Sequence, residues 1–120
     1  MIALNYLRGH RLALATDDPF TPIYMAQGMP LWGVDLLGPM RTAAELTSHL
    51  ESEAPATLAL ISVNLPGLDE AVHQLLLDRK VRFMTFGATM SAGAMKNATC
   101  MAWPFTAFQI ASEFALSLRK

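Results

Sequence analysis

Leu58-Ala59-Leu60-Ile61-Ser62-Val63-Asn64-Leu65-Pro66-Gly67 decides the fold of this 120-residue chain. From Thr57 to Val63 the run is almost continuously apolar, and a strand without polar alternation is one buried on both faces, as in a parallel sheet. It ends in an Asn-Leu-Pro-Gly turn, residues 64–67, whose proline and glycine suit a sharp change of direction.

Upstream, Arg11 to Thr16 is a second apolar run, closed by Asp17-Asp18-Pro19 where a buried strand meets a loop. A helix is expected from about Phe20 to Gln27, with Pro22 tolerated in its first turn before Gly28 and Pro30 break it. Val34 to Gly38 reads as another strand. Thr42 caps a helix running from Ala43 to about Glu53, and Glu45 stands three residues on, as a capping box requires. Downstream, Asp69 to Arg79 is amphipathic through Val72, Leu75 and Leu76. Val81 to Phe86 is a fourth strand, Thr99 to Ala102 a short fifth, and Phe105 to Leu118 the closing helix. Strands alternating with helices predict an α/β fold, a doubly wound five-stranded parallel sheet of flavodoxin-like order with its ligand crevice at the carboxyl ends of the strands. Residues 11–120 form this single domain and residues 1–10 an N-terminal extension.

Composition narrows the function. Charged residues make up 16% and the net charge is −1, so no basic field exists to neutralise phosphates or anionic lipid, and neither nucleic acid nor membrane is an expected partner. The lone Cys100 cannot form an internal disulfide, and no apolar run approaches the roughly 18 residues needed to span a bilayer. A cytoplasmic location is expected.

From about Arg11 to Leu118 the chain resembles the receiver domain of two-component response regulators. The resemblance rests on Asp17-Asp18-Pro19, the segment from Gly33 to Pro39, the Ala-Glu-Leu at residues 44–46, Val63 to Gly67, and Trp103-Pro104-Phe105, in that order. Receiver chemistry uses an acidic pair after the first strand, a phosphoacceptor aspartate, a hydroxyl residue after the fourth strand and a lysine after the fifth. Carried over, the pair becomes Thr16 and Asp17, the acceptor Ser62, the hydroxyl residue Gly87 and the lysine Trp103. A one-residue slip would let Asp17 and Asp18 form the pair, but it alters none of the other losses.

Each loss has a chemical meaning. A divalent cation wants oxygen ligands carrying several negative charges, and Ser62 offers a neutral hydroxyl with no paired base to activate it. Indole has one neutral N–H donor, so Trp103 cannot replace lysine beside phosphoryl oxygens. Gly87 has no hydroxyl to move. The resemblance therefore implies a pseudo-receiver with no catalytic residues. Ser62 reads as a satisfied polar group at a strand end, Trp103 as apolar packing in the former pocket or a ligand-stacking surface, and Asp17 and Asp18 as solvated loop residues or a helix N-terminal cap. No cofactor or metal site is expected, the alternative being a weak cation site at Asp17 and Asp18.

His10, His49 and His73 lack metal-ligand spacing and read as surface histidines. No glycine-rich phosphate loop follows the first strand. Between Gly87 and Asn97 two glycines weaken any helix, and Met90, Met95 and Met101 suit either an adaptable interface or gap-filling in the core. On the last helix Phe105, Phe108, Ala111, Ala115 and Leu118 form one inward stripe, while Ile110, Phe114 and Leu116 spread apolar surface around the axis. Exposed apolar surface of that kind marks a protein interface, to which Met90, Met95, Met101, Phe105, Phe108, Ile110, Phe114 and Leu116 are assigned, and receivers commonly pair through this end of the fold. The extension, with Ile2, Leu4, Tyr6 and Leu7, is a tail packed on the sheet edge, a contact with a second chain, or disordered.

The expected function is a phosphorylation-independent protein-interaction and dimerisation module in bacterial signal transduction, a homodimer that also binds a signalling protein and is not an enzyme. The alternative is a small-molecule sensor that uses the former phosphorylation crevice.

Overall fold

The computed structural model describes residues 7–87, 99–102 and 106–119. The elements run β1 (Arg11–Ala15), α1 (Thr21–Gly28), a 3-10 turn (Met29–Trp32), β2 (Asp35–Met40), α2 (Ala43–Leu50), β3 (Leu58–Ser62), α3 (Glu70–Asp78), β4 (Arg82–Gly87), β5 (Thr99–Ala102) and α4 (Ala107–Arg119). The five strands form one sheet of order β2-β1-β3-β4-β5, every pair parallel. This is the flavodoxin-like order expected from the alternation of elements.

The apolar runs are buried on both faces because side chains alternate across a strand. Leu12, Leu14, Leu58, Leu60, Met84 and Phe86 pack on one side with Met25 of α1 and Ile110, Ala111, Phe114 and Ala115 of α4. Ala13, Ala15, Ala59 and Ile61 face the other way, against Ala43, Leu46 and Leu50 of α2 and Val72 and Leu76 of α3. Leu7 is fully buried in the first cluster, and the Gly9 amide donates to the Gly33 carbonyl at 3.0 Å. The packed unit therefore includes Leu7, ahead of the boundary drawn at residue 10; residues 1–6 lie outside the described residues.

Local chemistry sets the element ends. The Thr42 hydroxyl accepts from the Glu45 amide at 3.2 Å, while the Glu45 carboxylate takes the Arg41 amide, one residue before the cap, at 2.9 Å. Asp69 caps α3 by accepting from the Val72 amide at 3.2 Å. The helix expected to reach Glu53 stops at Leu50. β2 continues past Gly38 through Pro39 to Met40, which an edge strand permits because its outer N–H groups have no ladder partner. Gly38 has φ +108, and a Cβ there would sit 2.7 Å from the Leu14 carbonyl oxygen. Only glycine fits, and the β1–β2 register shifts at this level.

Candidate functional site

Because β1, β3 and β4 are adjacent, their carboxyl ends set Thr16, Ser62 and Gly87 along one edge of the sheet, Thr16 just after β1 and the others as the last residues of β3 and β4. This is the edge at which open α/β sheets bind ligands. Thr16, Ser62 and Gly87 are all buried. Trp103 follows β5 but lies outside the described residues, as do Met90, Met95 and Phe105, and nothing is described of the Met101 side chain.

The two aspartates take different parts. Asp17 is exposed. Asp18 turns back on its own chain: one carboxylate oxygen accepts the Thr16 hydroxyl, and the other accepts the amides of Thr21 at 2.8 Å and Phe20 at 3.0 Å. Partial burial pushes the Asp18 carboxyl upward, but the hydrogen bonds from Thr16, Thr21 and Phe20 outweigh it and hold the group below its ordinary value. Asp18, two residues before the N-cap Phe20, thus holds the first amides of α1, and the Thr16 hydroxyl is engaged with it.

Ser62 is satisfied locally. Its hydroxyl accepts the Asn64 amide at 3.2 Å and its carbonyl accepts the Leu65 amide at 3.1 Å, which fastens the start of the turn after β3. The Val63 amide donates to the Phe86 carbonyl at 2.9 Å, extending the β3–β4 ladder by one bond. Among the described residues no three or more His, Cys, Asp or Glu side chains are gathered as a metal would require.

A hydroxyl missed in the sequence lies on β4. Thr85 is buried, pairs in register with Ile61 and sits two residues before Gly87, so the two share a face of the sheet. The signal was a single hydroxyl among the apolar residues that follow Arg82 on the strand.

The histidines are not simple surface residues. The His49 ring Nε2 accepts the Ala56 amide at 3.0 Å, and burial together with the Arg11 guanidinium lowers its pKa. His10 bonds the Thr57 hydroxyl at 2.8 Å, and His73 stands edge-on to Phe83 with ring centroids 5.4 Å apart.

The phase of α4 also differs from expectation. Ile110 and Phe114, expected on the outer surface, are buried against the sheet, whereas Phe108 is 56% exposed. With this rotation its first residue, Ala107, meets Gly28 of α1, and the Phe108 ring lies 6.2 Å from that of Trp32. Of the apolar residues assigned to an interface on α4, Phe108 and Leu116 remain exposed. They are joined by an unanticipated group of exposed side chains on and around α1: Phe20, Ile23, Tyr24 and Leu31. Among the described residues no helix is long and apolar enough to cross a membrane.

No family model matches the sequence, and no curated protein is significantly similar to it. Solved structures are. The response regulator PhyR from Brucella abortus superposes with a TM-score of 0.77 at 18% identity, over 96% of this chain and 51% of that one. The chain thus spans about half of that PhyR. The signal receiver domain of a putative LuxO repressor protein from Vibrio parahaemolyticus gives 0.76 at 21% identity, over 94% and 92% of the two chains. The receiver domain of the sensor histidine kinase PA1611 from Pseudomonas aeruginosa, with magnesium in its active-site cleft, gives 0.73 at 16% identity, over 93% and 99%. Sheet order, helix placement and these superpositions agree that the chain has the fold of response-regulator receiver domains.

Proposed function

We propose that this domain is a phosphorylation-independent pseudo-receiver, a module that works in bacterial signal transduction by contacting proteins, a second copy of itself included. The observation that carries the reading is Ser62. Phosphoryl transfer to a receiver needs a carboxylate there, held beside a divalent cation. Ser62 is instead a buried neutral hydroxyl that already accepts the Asn64 amide. Asp18, close in sequence to the end of β1, is committed to Thr16 and the start of α1. A serine without a neighbouring base is a poor nucleophile, so the carboxyl end of β3 lacks the acceptor carboxylate that the reaction requires.

Incubation of the whole chain with a small phosphodonor and magnesium, followed by intact-mass measurement, tests this. The mass should not change. A phosphoryl adduct that hydroxylamine removes would be an acyl phosphate and would overturn the proposal.

A further inference from the structure

From Pro19 to Gly33 the chain carries no charged residue. This stretch is α1 and the 3-10 turn that continues it, a helical ridge about 20 Å long at 1.5 Å and 2.0 Å per residue. Phe20, Ile23 and Leu31 on it are 60%, 54% and 76% exposed. Phe20 and Ile23 are three residues apart and so neighbours on one face. Charge returns at the two ends, acidic before the ridge at Asp17 and Asp18 and mixed beyond it, where Asp35 is paired with Arg11 at 4.0 Å and Arg8 adds a further positive charge. Exposed Asp17 precedes the ridge, and at its far end exposed Arg8 lies against Gly33, its Cα 3.3 Å from where a Gly33 Cβ would stand.

A two-fold interface sets a surface against itself, so any charge near the axis meets its own copy. Such an interface needs an uncharged centre and unlike charges at opposite ends. We infer that α1 packs antiparallel on α1 of a second copy of this chain, burying Phe20, Ile23 and Leu31 along the ridge, with Phe20 of each copy toward Leu31 of the other, and bringing Asp17 of each copy to Arg8 of the other. In that antiparallel arrangement the ridge is electrostatically complementary to itself, as a specific interface is. This deepens the reading of the domain as a protein-contact module and rests on it for that, while phosphorylation is decided separately by the intact-mass experiment.

Sedimentation of the full chain over a range of concentrations provides the test. Wild type should self-associate, and Leu31→Glu or Ile23→Glu, both at exposed positions, should weaken association at least tenfold with an unchanged circular dichroism spectrum. Arg8→Glu alone and Asp17→Lys alone should each associate less than wild type. An equimolar mixture of those two variants should associate better than either, because in the mixed pair each end of the interface again sets one acidic side chain against one basic one. The inference is overturned if wild type stays monomeric, if the Leu31 and Ile23 variants associate like wild type, or if the mixture associates no better than its components.

Discussion

Gly28 and Ala107 touch where α1 passes the start of α4, so closely that a Cβ at residue 28 would stand 2.5 Å from the Ala107 Cβ. The same added carbon would lie 3.3 Å from the Trp32 ring. In a helix interior alanine is favoured over glycine by about 1 kcal/mol, less at the last residue of α1, and the contact with Ala107 gives glycine at 28 a packing reason.

Gly28→Ala should therefore destabilise the domain. Overpacking costs roughly 1–3 kcal/mol, which exceeds or cancels the helix-propensity gain. Urea titration should show a lower midpoint with the slope unchanged. Adding Ala107→Gly should recover part of the loss, a coupling that two independent sites would not show.

Phe114 and Phe108 should behave oppositely. Phe114 is 2% exposed, inside the core, and truncation to alanine should cost about 3–5 kcal/mol. Phe108→Ala removes an exposed ring that neighbours the ring of Trp32, and thermal denaturation should show a far smaller change, on the order of 1 kcal/mol or less.

That contrast shows where the sequence was legible. β1 and β3 declared themselves because a strand buried on both faces is a short apolar run with turn signals at its ends, and Leu12 to Ala15 and Leu58 to Ile61 have that form. The face that α4 turns inward was not legible. A helix carrying Phe108, Ile110, Phe114 and Leu116 has apolar groups on several sides, so its rotation is set by what it meets. Asp17 and Asp18 were likewise a pair of candidates in the sequence. Only the turn after β1 selects Asp18 to hold the first amides of α1 and leaves Asp17 in solvent.

Asp18→Ala should cost about 1–2 kcal/mol, the scale for losing hydrogen bonds to a charged acceptor, with Asp18→Asn recovering part of it. The folded-state pKa of Asp18 lies below its ordinary value of 3.8. Its contribution is therefore complete above that value and is lost as pH falls through the lower, folded one. Acid titration of wild type against Asp18→Asn should show the difference narrowing below about pH 4.

His49 gives a second pH dependence, nearer neutrality. Its folded pKa lies below 6.5, so the unfolded chain binds the proton more readily and stability rises with pH between the two values. Protonation also removes the lone pair that holds the Ala56 amide. Stability should be complete above about pH 7 and fall as the solution is acidified through about 6. The same titration of His49→Gln should be flatter in that window.

β2 is the outer strand of the sheet on its side, and it is badly made for recruiting another strand. Pro39 has no amide hydrogen to offer, and at Gly38 the chain leaves regular extended geometry. Interruptions of this kind blunt the template that an open sheet margin otherwise presents to neighbouring chains. Strand-by-strand growth of the sheet into fibres along this margin is thereby disfavoured.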